Sequence, residues 1–411
     1  MKLSLPVVDA FGRSFTSSFV EGEIERRAWT RRIVPPNVSG IPRPMSIFLA
    51  KKPPNTLIKW SWHGDTKTFC PPIWADIAIG SGACGFGCRS CFLMLTFREM
   101  RDPLQPVVYT NGDDYERQVG QWLRAPKWGV NYTGPKGGGK KQTTEKRWRR
   151  RTPKDAIGLG IDCADSLLWE GVTGHARRLI PLFTDPKTNP LGNPLILLTK
   201  SANTHYLTEL SDAALQRVNG KVPNVAVTMS LNPEAVADLW EGKFPGTLER
   251  ITPPIQKRLE ALRVAQDLGF DVRVRVDPIL TPEHWKEVYS DFFVDMVRVG
   301  LKPSMITLGT YREKNPQLEA WGRRWGLPAM EFGPEVGDGR EGTHHHVVER
   351  AEIYNTVATL ITGAFSNTGH APWVSLCKET HDVRKATGLC SANCNCLTET
   401  KADKWRLPLV G

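Results

Sequence analysis

Nowhere in this 411-residue chain does an apolar run approach the roughly 20 residues that a helical membrane span requires. The opening MKLSLPVVDAFGRSF has too short an apolar stretch for a signal peptide, so a globular protein of the cytoplasm is expected. Cysteine is sparse, with nine residues gathered mainly in two places. In a reducing compartment such clusters argue against a disulfide framework and for metal or redox chemistry. Acidic charge is in deficit, with 43 Asp and Glu against 54 Lys and Arg. One stretch causes this. Residues 136–154, KGGGKKQTTEKRWRRRTPK, carry nine basic residues against Glu145, a net of +8 that leaves only +3 of the chain's +11 for everything else.

That stretch, a glycine run before an arginine-rich segment, reads as a flexible insertion at about 127–155. It could lie along phosphates through Lys140, Lys141, Arg147, Arg149, Arg150 and Arg151, with Trp148 stacking on a base. A solvated loop that keeps the protein soluble is the plain alternative. The first 75 residues form a basic, Pro- and Trp-rich N-terminal region, which could contact nucleic acid or pack on the rest of the chain.

From residue 76 the pattern alternates. β-rich runs at 76–80, 106–110, 157–161, 195–199, 224–229, 272–276 and 305–308 are separated by helical patterns at 113–124, 166–183, 204–217 and 253–268. The last helix has Pro at its start and Gly269 at its stop. Repeated βα order predicts a parallel sheet curved into a barrel over 76–310, with chemistry at the carboxyl ends of the strands and a C-terminal extension from 311 to 411. Polar residues stand at those ends: Asn111, Asp162 and Asp165, Lys200 and Ser201, Ser230 and Asn232, and Asp277. Loops are polar anyway, but a lysine, a hydroxyl and an amide gathered at 200, 201 and 203 suit a charged small molecule.

After the first run comes SGACGFGCRSCFLM, with Cys84, Cys88 and Cys91 inside eight residues. Gly85 and Gly87 give the backbone freedom to fold around a cubane, and three thiolates can ligate three irons of a [4Fe–4S] cluster, leaving the fourth open. A zinc site would want a fourth ligand nearby, and residues 92–101 hold neither Cys nor His.

Cys84-x3-Cys88-x2-Cys91, followed by Phe92, resembles the signature of radical S-adenosylmethionine (SAM) enzymes. Five further segments narrow the resemblance: VVYTNGDDYERQVGQWL, DSLLWEGVTGHARRLIPLF, LLTKSANTHYLTEL, VTMSLNPE and RLEALRVAQDLGFDVRVRVDPIL. Their order and spacing over roughly residues 70–300 are similar to the spore photoproduct lyase family and its DNA repair photolyase-like relatives. The resemblance implies an α/β fold, a partial (β/α)6 barrel of the radical SAM type. It implies a [4Fe–4S] cluster on Cys84, Cys88 and Cys91, and SAM contacts from Lys200 and Ser230, with Phe92, Asn111, Ser201 and Asn232 nearby. Reduction of the cluster, by a donor such as flavodoxin or ferredoxin, would cleave SAM to a 5′-deoxyadenosyl radical that abstracts hydrogen from nucleic acid, DNA above all. The family's hydrogen-donating cysteine is replaced by Asp162, with Cys163 one residue later, and its tyrosines by Ser90 and Phe92. Repair of spore photoproduct itself is therefore doubtful, with Cys163 the candidate hydrogen donor.

Cys377, Cys390, Cys394 and Cys396 form the second group, suited to an auxiliary Fe–S cluster, a structural zinc or a redox pair, or having no joint role. The run His344-His345-His346 suits a helix start better than a metal, since successive helical residues point about 100° apart. Two other functions stay open: a radical SAM enzyme acting on a protein or small molecule, and a non-catalytic nucleic-acid-binding Fe–S protein.

Overall fold

The computed structural model describes residues 2–8, 14–20, 48–52, 57–62, 73–81, 84, 86, 88, 107–135, 142–150, 156–161, 164–242, 252–311 and 346–389, with the backbone alone at 2–8, 14–20, 48–50, 59–62, 73–74, 81, 128–135 and 142–150. The strands, in chain order, are β1 Lys2–Val8, β2 Ser14–Val20, β3 Phe48–Ala50, β4 Ile58–Trp62, β5 Ile73–Ile77, β6 Gly80–Ser81, β7 Val107–Tyr109, β8 Lys127–Pro135, β9 Gln142–Arg150, β10 Ile157–Leu159, β11 Leu195–Thr199, β12 Val225–Ser230, β13 Asp271–Ile279, β14 Met305–Thr310 and β15 Trp373–Leu376.

Eight of them form the main sheet in the order β15-β14-β13-β12-β11-β10-β5-β4, parallel throughout except for antiparallel β4. This is the α/β architecture expected from the βα alternation. LILLT and VAVTMS are buried along nearly their whole length, as parallel strands covered on both faces must be. Leu195, Leu197, Val225, Val227, Met229, Val272, Val274, Ile306 and Leu308 face the helices. There they join Leu179, Phe183, Leu259, Leu262 and Phe293 in the principal core. The alternate positions turn to the other face, and there the chemistry changes. Above a small apolar floor of Ala156, Ile196 and Ala226 come Thr228, Ser230, Arg273, Arg275, Thr307 and Ser375. The polar face of the sheet is thus written into the period of two.

Several elements differ from the periodicity. The run at 106–110 contributes β7, but this strand pairs with β3 and β6 in a separate three-stranded sheet. The helix expected over 166–183 is two helices, Glu170–Thr173 and His175–Thr184, because Gly174 between them adopts φ +60°. The pattern at 204–217 becomes a 3₁₀ turn, Asn203–Glu209, and a short helix Asp212–Leu215 capped by Ser211. The helix Ile255–Asp267 begins after Pro254 and stops at Gly269 as expected. Gly269 has φ +91°, and a Cβ there would lie 2.4 Å from the Gly220 carbonyl oxygen. The parallel sheet also continues beyond residue 311 with β15, which the sequence pattern did not suggest. His346 caps the helix Val347–Phe365 by accepting from the Val348 N–H, the helix-start role anticipated for the histidine run; His344 and His345 lie outside the described residues.

The basic insertion is a correction of a different kind. Its arms are not a loop: β8 and β9 pair antiparallel over nine positions, from Lys127↔Arg150 to Pro135↔Gln142. Alternation places Lys146, Trp148 and Arg150 on one face of this ribbon and Arg147 and Arg149 on the other.

Candidate active site at the carboxyl ends of the parallel strands

The cysteine loop follows β5. Cys88 is buried, Cys84 partly so, and Phe86 between them is buried. The loop is tied to the next crossover by the Trp169 indole N–H, which donates to the Cys84 carbonyl at 3.1 Å. Cys91 and Phe92 lie outside the described residues, as do Asp162 and Cys163 after β10.

Asp165, just beyond them, organises the next strand end. Its buried carboxylate accepts from the N–H groups of Leu167 at 3.1 Å and Leu168 at 2.9 Å, from the Thr199 hydroxyl at 2.6 Å and from the Lys200 N–H at 2.7 Å. Burial pushes its pKa up, against the pull of those four donors. Ser201 and Asn203 brace the same loop. The Ser201 hydroxyl accepts from the Asn203 N–H, and the Asn203 amide donates to the carbonyls of Leu167 and Leu168.

From this frame the Lys200 side chain meets Glu241, Nζ to Oε1 at 2.9 Å. Burial disfavours the Lys200 charge, but the Glu241 carboxylate and the Cys88 sulfur, its electrostatic neighbours, prevail and raise the pKa. Lys200 thus lies within electrostatic reach of Cys88. Glu241 in turn is gripped by Arg258, whose Nη1 lies 3.0 Å from Oε1 and whose Nη2 and the Thr252 hydroxyl bond Oε2. Burial works against the Glu241 charge, yet Arg258 and Lys200 hold the carboxyl far below the usual range. Arg258 also donates to the carbonyl of Ser230 at 3.2 Å. The Ser230 hydroxyl itself has no hydrogen-bond partner among the described residues.

Beside Ser230, in register on β13, stands Arg275, which bonds the Asp277 carboxylate at 2.6 Å and approaches Cys377 Sγ at 3.5 Å. Asp277 has room because residue 309 is glycine: a Cβ there would lie 2.7 Å from the carboxylate. Cys377, at the end of β15, is the described member of the C-terminal group; Cys390, Cys394 and Cys396 lie outside the described residues. Asn232 is buried and accepts from the Tyr289 hydroxyl at 3.5 Å. Asn111 is engaged elsewhere: its side chain bonds the N–H and carbonyl of Lys52 and the Asp114 carboxylate. Of the residues expected to contact nucleic acid, Arg147, Trp148, Arg149 and Arg150 lie on β9, while Lys140, Lys141 and Arg151 lie outside the described residues. Glu241 and Arg258 escaped the sequence reading, although Arg258 falls on the apolar stripe of its helix with Ile255, Leu259 and Leu262, an available sign of a buried partner.

No family model matches the chain, and no curated protein matches it. Solved structures do. Spore photoproduct lyase complexed with dinucleoside spore photoproduct matches with a TM-score of 0.55 at 18% identity, over 81% of this chain and 83% of that one. A double mutant of spore photoproduct lyase with bound AdoMet and dinucleoside spore photoproduct gives 0.52 at 18% identity, over 73% and 75%. A single mutant gives 0.55 at 18% identity, over 84% and 89%. With TM-scores above 0.5 over most of both chains, this chain has the fold of spore photoproduct lyase.

Proposed function

We propose that the chain is a radical SAM enzyme that acts on nucleic acid, in DNA lesion repair or base modification. The observation that carries this reading is the placement of Lys200 and Ser230 at the carboxyl ends of the adjacent parallel strands β11 and β12, in the sheet whose β5 leads toward the cysteine loop. The residues present fit the cofactors. Cys84, Cys88 and Cys91 would hold a [4Fe–4S] cluster. Lys200 and the Ser230 hydroxyl would bind the carboxylate and polar atoms of SAM, with Ser201, Asn232 and Phe92 shaping the surroundings. When bound and reduced, these groups supply a 5′-deoxyadenosyl radical able to abstract hydrogen from a substrate carbon.

The protein's own part is binding and orientation. Asp165 fixes the backbone of Lys200, and Trp169 fixes the backbone of Cys84. Cys163 remains the proposed hydrogen donor, with Asp162 before it. The nucleic-acid part of the reading is supported by the β8–β9 ribbon, where Lys146, Arg147, Arg149 and Arg150 accompany Trp148. It is supported too by the neighbours solved with a dinucleoside lesion.

The test is anaerobic. Reconstituted protein with dithionite and SAM is assayed for 5′-deoxyadenosine, with and without ultraviolet-irradiated DNA, beside Cys88→Ala. Formation by the wild type alone, with a yield that DNA changes, supports both parts. Formation that DNA leaves unchanged removes the nucleic-acid part, and none from cluster-loaded protein removes the enzyme.

A further inference from the structure

We propose that Glu241 is a positioning residue for SAM: it acts through Lys200, holding the ammonium where the SAM carboxylate arrives, and Arg258 locks it to Ser230. The inference rests on the reading of Lys200 and Ser230 as SAM contacts.

Three observations carry it. The Glu241 carboxylate is 1% exposed and lies between two cations, Lys200 Nζ at 2.9 Å and Arg258 Nη1 at 3.0 Å on the same oxygen. Arg258 is wholly buried and bonds the carbonyls of Ser230 and Pro253, so the carboxylate is referenced to the backbone of β12. Lys200 belongs to the end of the neighbouring strand, which its N–H bond to Asp165 fixes independently. A single carboxylate therefore sets the distance between the two side chains assigned to the ligand.

The charges point the same way. Two cations against one carboxylate leave the triad at net +1, in surroundings where an unbalanced charge is costly. Arg258 is enclosed, whereas the Lys200 side chain is 22% exposed, so the excess is presented at the Lys200 end, toward an incoming anion. A free lysine has rotamer entropy to lose on binding. Held by Glu241, Lys200 has already lost much of it, and a ligand carboxylate meets a charge that is in place. Glu241 is no proton acceptor: the two cations make it a weak base.

The experiment is equilibrium dialysis of cluster-reconstituted protein against SAM and against decarboxylated SAM, which lacks the anion in question. Wild type should bind SAM at least tenfold more tightly than the decarboxylated form. E241Q should lose about tenfold for SAM and leave the decarboxylated form unchanged, and in a Lys200→Met background E241Q should add nothing further. Equal weakening toward both ligands, or undiminished SAM affinity, overturns the positioning role. If the wild type itself does not distinguish the two ligands, the reading of Lys200 falls, and this inference with it. Should E241Q not fold, Glu241→Asp, which keeps the charge but withdraws it by one methylene, is read in the same way.

Discussion

The Asp165 carboxylate receives the main-chain N–H of Lys200 at 2.7 Å, across 35 residues of sequence. The bond joins the loop after β10 to the end of β11, and the Thr199 hydroxyl reinforces it at 2.6 Å. Asp165→Asn puts an amide among four donors and loses acceptor capacity in a buried place. A loss of roughly 2–4 kcal/mol in unfolding free energy is expected, since each unsatisfied buried partner costs about 1–3 kcal/mol. Urea unfolding reads it, and a wild-type midpoint in the variant would show that the network is dispensable.

His175 predicts a pH dependence. It is buried, its Nε2 donates to the Tyr109 carbonyl at 2.7 Å and its Nδ1 has no partner among the described residues. Burial lowers its pKa from 6.5 to about 4. As pH falls through this interval the unfolded chain takes up the proton first. The stabilisation is therefore whole above about 6.5 and disappears toward 4, amounting to about 3 kcal/mol in all. His175→Gln, which can still reach Tyr109, should lose less stability between pH 7 and pH 5 than the wild type, by about 2 kcal/mol. Parallel losses in the two proteins would refute this.

Glu379 has no exposure and accepts from the Tyr354 hydroxyl at 2.8 Å, beside the equally buried Arg350. Tyr354 in turn accepts from the Thr310 N–H, so the last long helix is fastened to the end of β14. Glu379→Ala strands a buried guanidinium, and a loss of about 3–5 kcal/mol is expected. A change under 1 kcal/mol in denaturant unfolding would argue against it.

Two glycine replacements should act in opposite directions. Gly309→Ala places a Cβ 2.7 Å from the Asp277 carboxylate and should displace it from Arg275, at a cost of about 1–3 kcal/mol. Gly363→Ala lies inside the helix Val347–Phe365, where a Cβ meets nothing within 4 Å, and should stabilise by about 0.5–1 kcal/mol. Thermal melts of the two variants test the pair.

Replacing Lys146, Arg147, Arg149 and Arg150 on β9 with alanine should weaken DNA binding and flatten its log–log salt dependence by roughly 0.9 for each phosphate no longer neutralised. An unchanged slope in fluorescence anisotropy would place the DNA on another surface.

How far the sequence was legible follows from what each element rests on. Lys200 and Ser230 could be found because each closes a solid apolar run that only a covered parallel strand explains. β7 reads as a strand from VVY, but periodicity carries no information about partners, and the choice of β3 and β6 over the main sheet was hidden. The apolar spacing of 166–183 runs straight through Gly174, so the break was visible only as a backbone angle. β15 is four residues, too short to stand out from its flanks. Glu241 lies 41 residues from Lys200, and no local pattern links a turn glutamate to a strand-end lysine. The arms of the basic segment gave more charge than β pattern, and their nine pairs emerge only when both are set side by side.

The main sheet, among the described residues, runs from β15 to β4 without those two edges pairing. On the proposed function, a nucleic-acid substrate would be laid across such an unclosed sheet without threading an end. Supercoiled circular plasmid, which has no ends, should therefore compete for the protein as well as linear duplex of the same sequence.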